Sequence, residues 1–402
     1  MTSAMAVIGL CGFALAGQPA ALSSGLDLPD PLVTASGEPV DSPEVWREVR
    51  RPELLELFRT HIYGRAPIGR PADESFAVQE VDAQAMGGAA TRKDVRIRYS
   101  GRGGEGGLRL TLFVPNERPA PAPGFVLICN RDPENIDPAR QTKSPFWPAE
   151  QIVDRGYFAA AFHYADIDHD DGDDRFDNGV HALFDPPRAE GPSARKEQPR
   201  PGDAWGAIAA WAWGASRALD YLETDPDIDA TRVAVVGHSR GGKAALWAGA
   251  RDKRFAMTVS NNSGCTGAAL ARREQGERVA DILRFKNWFC TNYRDYAGRE
   301  QALPVDQHQL LALVAPRLLY VASASDDDWA DPEGEYLAAV HASPVWGLHG
   351  QPGLVSDAFP APGESRHEGR IGYHLREGGH NLTEEDWSHY MDFADRWMQP
   401  VE

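Results

Sequence analysis

The hydrophobic positions along the chain fall into two kinds of run. Phe125 to Cys129, Tyr157 to Phe162, Arg232 to Val236, Phe255 to Val259 and Leu318 to Ala322 are short and apolar on nearly every residue, as in strands covered on both faces in a parallel sheet. Between them lie longer stretches with apolar residues at helical spacing, at 203–223, 240–251 and 303–315. Strand, helix, strand in that order predicts an α/β fold: a doubly wound, mostly parallel sheet with helices on both faces, a three-layer sandwich. Ahead of it, Val95-Arg96-Ile97-Arg98-Tyr99 and Leu108-Arg109-Leu110-Thr111-Leu112 alternate on either side of a glycine-rich loop and predict a hairpin. Residues 43–64 predict a helix with Ser42 as cap, Pro43 in the first turn and Val45, Val49, Leu54, Leu55 and Leu57 as its apolar positions.

The run from Ala4 to Ala16 is of a different kind, apolar throughout yet too short to span a bilayer. Its length suits the core of a secretory leader, and Ala14-Leu15-Ala16 supplies the small-residue pattern for cleavage before Gly17. Residues 1–16 are therefore read as a signal peptide and 17–402 as a single unit, because no linker divides it. No Lys or Arg precedes the run, so a mis-assigned start or a loose apolar tail is the competing reading, and the residues before Cys11 do not form a lipobox. Export predicts a periplasmic or secreted protein. Cleavage leaves Cys129, Cys265 and Cys290, of which Cys265 and Cys290 are the candidate internal pair.

Charge narrows the partners. The 402 residues carry Lys+Arg 41 against Asp+Glu 59, a net charge of −18, and an acidic surface repels both a nucleic-acid backbone and an anionic membrane.

Chemistry concentrates where one buried run ends. Thr231 to Val236 leads directly into Gly237-His238-Ser239-Arg240-Gly241, and a small-residue helix follows from Gly242. This is the G-x-S-x-G elbow in strand-turn-helix context, where glycines let a serine project its hydroxyl and the helix start offers backbone N–H groups to an oxyanion. A serine needs a base and an orienting carboxylate. His380 stands in Gly378-Gly379-His380-Asn381, after the strand-like Ile371 to Arg376 and before a helix capped by Thr383 with Asp386 three residues on. Of the other eleven histidines, His238 lies in the elbow, His308 in a helix and His374 in a strand. The carboxylate falls in the loop after Leu318 to Ser323, which holds Asp326, Asp327, Asp328 and Asp331. Serine, aspartate, histidine is the chain order of the α/β-hydrolase fold.

Asp166, Asp168, Asp170, Asp171, Asp173, Asp174 and Asp177 crowd a stretch with Gly172. The calcium-loop frame fails there, since counting back from the glycine puts Ile167 at the first ligand position, so a solvated loop is expected and no metal. No cofactor is called for. Trp205, Trp211 and Trp213 read as core of the helix at 203–223, with Trp205 also placed to meet a sugar.

Together these motifs resemble the bacterial glucuronoyl esterases of carbohydrate esterase family 15. The likeness covers the chain from about residue 30 and rests on Gly237 to Lys243, Ser260-Asn261-Asn262-Ser263-Gly264-Cys265, Trp288-Phe289-Cys290, Asp306-Gln307-His308, Asp327 to Pro332 and Gly378 to Asn381. It implies a serine esterase that cleaves esters between 4-O-methylglucuronic acid branches of xylan and lignin alcohols; the chain is expected to act as a monomer, with no nucleic-acid or membrane partner. It also implies that Arg240 stabilises the oxyanion, that Lys243, Trp329 and Glu277 bind the sugar, and that Asp327 is the acid, with Asp328 second. Taken alone, Arg240 and Lys243 would be ordinary helix-surface cations.

The chain departs from the family in three places. Fungal members have a cysteine before the serine that bonds to another near the histidine, and His238 replaces it here. Where some members take the acid from a glutamate, this chain has Asn262, which cannot serve as a charged partner. The loop Cys129-Asn130-Arg131-Asp132-Pro133 also has no glycine beside the oxyanion. Elbow and chain order equally permit an esterase of other specificity, such as an acetyl esterase, or a peptidase. Retention of Ser239, His380 and the aspartate loop together speaks against a non-catalytic carbohydrate-binding protein.

Overall fold

The computed structural model describes residues 25–118, 121–187, 199–356 and 358–398; the expected leader lies outside them. Among the described residues ten strands are formed: β1 (Ser75–Ala85), β2 (Ala90–Gly101), β3 (Gly104–Pro115), β4 (Ala122–Cys129), β5 (Phe158–His163), β6 (Ile228–His238), β7 (Met257–Asn261), β8 (Leu318–Ala324), β9 (Glu364–Arg366) and β10 (Ile371–Arg376). They make one sheet in the order β1-β2-β3-β5-β4-β6-β7-β8-β10-β9. From β5 to β10 every neighbouring pair is parallel. The expected hairpin is β2 and β3, antiparallel, with Val95 opposite Leu110 and Ile97 opposite Leu108.

Strand periodicity divides the core. Val126, Ile128, Val233 and Val235 face one cluster, while Phe125, Leu127, Cys129, Ala234 and Val236 face another, because successive side chains point to opposite faces. On the first face pack α2 (Ala207–Leu222), α3 (Arg240–Arg251) and α4 (Pro332–Ala342). On the second lie α1 (Ala149–Asp154) and α5 (Glu384–Trp397). This is the predicted three-layer α/β sandwich, and it puts the C-terminal ends of β6, β7, β8 and β10 side by side.

Differences from expectation have local causes. The N-terminal helix is interrupted by a wide turn at Trp46–Arg50, where Arg51 N–H reaches the Trp46 carbonyl. Pro52 follows and has no N–H to bond four residues back, which disturbs the regular ladder. The edge strand β1 was not expected, since its apolar residues do not need burial: Val78 and Val81 are 46% and 58% exposed. Cys265 and Cys290 do not pair. Both are buried free thiols, as is Cys129, and their sulfurs turn to different neighbours, Thr266 Oγ1 and the Thr60 carbonyl. Burial pushes all three thiols up to about 12. Trp205, Trp211 and Trp213 are core, and each indole N–H is taken within the protein, by Asp185 Oδ1, the Asp168 carbonyl and the Gly69 carbonyl respectively.

Candidate active site

Ser239 stands between β6 and α3 with φ 56° and ψ −126°, a conformation that costs an L-residue on the order of 1–3 kcal/mol and persists only where its surroundings impose it. Gly237 permits the turn: a Cβ there would lie 2.0 Å from the Gly241 carbonyl oxygen. The Ser239 N–H donates to the Asn261 carbonyl at 2.8 Å, tying the elbow to the end of β7. Arg240 is the first residue of α3, so its N–H is one of those without an intrahelical acceptor and is available to an oxyanion.

His380 arrives on the loop between β10 and α5, whose start is closed by a Thr383–Asp386 capping box. Its Nδ1 lies 2.6 Å from Asp327 Oδ2, which makes Nδ1 the donor and leaves Nε2 as the basic nitrogen. Of the aspartates after β8, Asp327 is 4% exposed while Asp326 and Asp328 are exposed. Asp331 is occupied otherwise, capping α4 and pairing with Arg273 at 2.9 Å. Burial raises the Asp327 carboxyl, but hydrogen bonds from His380 and Asn262 outweigh it and hold the group below the usual carboxylate range. The loops carrying Asp327 and His380 are stitched together, Ser325 N–H to the Arg376 carbonyl at 2.8 Å and Asp326 N–H to the Gly378 carbonyl at 2.9 Å.

The cations sit as neither simple surface charges nor simple sugar ligands. Arg240 is 29% exposed in its side chain; its Nε lies 2.9 Å from Asp170 Oδ2 and its guanidinium 5.5 Å from the Tyr164 ring centre. Asp170 also accepts the Trp288 indole N–H at 2.7 Å, and Asp168 is buried beside His181. Part of the acidic stretch is therefore built into the site rather than solvated, and among the described residues no cluster could hold a metal. Lys243 differs from expectation. It is 2% exposed and its three N–H groups go to the Ser263 and Cys265 carbonyls and to Glu277 Oε2, the first and last at 2.7 Å. An ammonium has three donors, so none remains for a sugar while this arrangement holds. Glu277 donates its N–H to the Trp329 carbonyl at 2.7 Å, which brings those two residues together. Trp329 is 43% exposed, has Arg284 over its ring at 5.7 Å, and forms part of a cleft of about 730 Å³ whose lining includes neither Ser239 nor His380.

Sequence reasoning missed several supporting groups. Asn262 donates to Asp327. Asp170 holds Arg240, although only crowding distinguished it from its neighbours. Glu335, fully buried on α4, accepts from the Ser263 and Gly264 N–H groups and from Ser323 Oγ.

A strained serine at a strand-to-helix elbow, with an aspartate and a histidine delivered from later loops in that order, defines a serine hydrolase of the α/β-hydrolase fold. The family described as glucuronyl esterase, fungi, matches residues 201–350. A glucuronoyl esterase from Solibacter usitatus is similar at 40% identity and a TM-score of 0.84, over 92% of this chain and 97% of its own. A promiscuous CE15 esterase from a marine bacterial metagenome is similar at 39% identity and a TM-score of 0.81, over 92% and 96%. Carbohydrate esterase MZ0003, from an unknown prokaryotic organism, is 39% identical over 400 residues, 92% of this chain and 89% of that protein. The chain belongs to the glucuronoyl esterases, carbohydrate esterase family 15, and is a carboxylic ester hydrolase.

Proposed function

We propose that the protein hydrolyses esters of glucuronic acid or its 4-O-methyl ether, such as those joining glucuronoxylan branches to lignin alcohols. The observation that carries this reading is the 2.6 Å contact of His380 with Asp327, with the His380 ring centre 4.5 Å from that of His238, the residue before the strained Ser239, in a chain 40% identical over nine-tenths of its length to a glucuronoyl esterase. Ser239 Oγ attacks the uronoyl carbonyl carbon as His380 Nε2 takes its proton, and Asp327 stabilises the resulting imidazolium. Arg240 N–H and guanidinium meet the oxyanion, the guanidinium being held by Asp170. Collapse expels the alcohol with the proton from His380, water then attacks the acyl-serine, and the free uronic acid departs.

Sugar recognition falls to Trp329 as an aromatic wall and to Glu277 as an acceptor for ring hydroxyls. Lys243 acts behind Glu277, positioning its carboxylate rather than reaching out. The protein works as a monomer on extracellular polysaccharide, after loss of residues 1–16; among the described residues no helix is long and apolar enough to cross a membrane. The test is hydrolysis of benzyl glucuronate beside benzyl galacturonate and 4-nitrophenyl acetate, with Ser239→Ala as control. Cleavage of the glucuronate ester that vanishes in the variant supports the reading. Activity on the acetate alone keeps Ser239 and discards the uronate.

A further inference from the structure

The residue before the nucleophile starts a chain of buried polar groups that ends at the catalytic loop. His238 is fully buried, with its ring centre 4.5 Å from that of His380. Its Nδ1 lies 2.6 Å from Asn261 Oδ1 and its Nε2 3.2 Å from an Arg131 guanidinium nitrogen. Asn261 also accepts the Ser239 N–H on its carbonyl, and it donates both amide hydrogens, to Asp386 Oδ1 at 3.1 Å and Tyr390 Oη at 3.0 Å. With both hydrogens used, Oδ1 must accept from His238, so Nδ1 carries the proton and Nε2 accepts from Arg131. Burial, with the nearby His380 adding to it, pushes His238 down to about 3, consistent with this neutral form.

The chain continues through Asp386, fully buried, whose Oδ2 accepts from Arg376 Nε at 3.1 Å. Arg376 then donates to the Glu377 carbonyl at 2.7 Å, the Gly379 carbonyl at 2.9 Å and the Asn381 carbonyl at 3.1 Å. Gly379 and Asn381 are the residues on either side of His380. The links from His238 through Asn261 and Asp386 to Arg376 are buried hydrogen bonds, held strongly in low dielectric, where a broken link leaves an unpaired polar group; the three from Arg376 to the loop carbonyls are partly buried.

We propose that Asn261, Asp386 and Arg376 form a non-covalent clamp that holds the His380 loop at a set distance from the nucleophile elbow, so that these three are positioning residues for Ser239 and His380. The inference rests on the Ser239–His380–Asp327 assignment made above. A two-glycine loop cannot hold an imidazole in place by itself, and Gly378 and Gly379 both precede His380. Beside the bond from the Asp326 N–H to the Gly378 carbonyl, Arg376 ties down the carbonyls on either side of His380.

The test compares Arg376→Lys, which keeps the charge beside Asp386 but cannot span three carbonyls, with Asn261→Ala, which cuts the chain at its other end. In folded protein each should lower kcat by about 10- to 100-fold, the range expected for misplacing a catalytic group by about 1 Å, with KM for benzyl glucuronate unchanged. The double variant should be no slower than the slower single one, since links in series fail once. Unchanged kcat, or losses that multiply in the double variant, would overturn the clamp. Should Arg376→Lys not fold, the kcat and KM of Asn261→Ala decide alone. Ser239→Ala and His380→Ala serve as reference: activity surviving in those refutes the underlying triad, whereas their inactivity beside a fully active Arg376→Lys refutes the clamp only.

Discussion

Asn262 Nδ2 donates at 2.7 Å to the same Asp327 oxygen, Oδ2, that His380 Nδ1 contacts at 2.6 Å. The amide that cannot be the catalytic acid thus stabilises the charge on the residue that is placed to act as one. Asp326 and Asp328 on the same loop are exposed.

An Asp→Asn series at the three positions should separate them. Asp327→Asn is expected to lose about 10³- to 10⁴-fold in kcat, because the amide presents the wrong hydrogen-bonding group to Nδ1–H. Asp326→Asn and Asp328→Asn should stay near wild type. Steady-state kinetics on benzyl glucuronate checks this, and equal small losses at all three would remove Asp327 from the triad.

Arg240 owes its position to Asp170 at 2.9 Å. Asp170→Asn keeps the shape and removes the charge, so the guanidinium should wander from the oxyanion. A fall in kcat on the order of 10-fold is expected, well short of the loss in Arg240→Ala, where about 10²- to 10³-fold would follow the removal of an oxyanion donor.

Lys243 and Glu277 are a buried pair, 2% and 8% exposed in their side chains. Removing one partner strands the other charge, at a cost of about 3–5 kcal/mol, whereas removing both costs far less. Lys243→Met and Glu277→Gln should therefore each lower the denaturation midpoint more than the double variant does, as read by urea unfolding.

Glu335 is raised by burial to about 8 against its donors Ser323, Gly264 and Ser263, and the charge of Asp327 adds to the rise. A carboxyl raised on folding binds more protons folded than unfolded, so its contribution is complete below about pH 4.5 and is lost as pH climbs toward 8. Over that window stability should fall with a slope approaching about 1.4 kcal/mol per pH unit from this group. Glu335→Gln should flatten that slope in unfolding measured across pH, and an unaltered slope would assign it to other groups.

The parallel strands, the hairpin and the strand-turn-helix elbow were legible because each depends on local pattern, and the pairing of His380 with Asp327 because it follows chain order. Val126 and Phe125 alternate faces whatever the rest of the chain does, and Gly237 marks its turn by composition. The supporting groups were not legible. Asp386 looked like an ordinary capping residue at Thr383, and its partners Asn261 and Arg376 lie 125 and 10 residues away in sequence. Lys243 read as a surface cation or a sugar ligand because sequence does not display which carbonyls will close around an ammonium. Cys265 and Cys290 read as a pair by arithmetic alone, and their packing separated them.

The three sealed thiols have a consequence for how the enzyme is made. Each is buried and held protonated near neutral pH, and the link between elbow and histidine loop runs through hydrogen bonds instead of sulfur. Among the described residues no disulfide has to form, so dithiothreitol should leave the activity untouched.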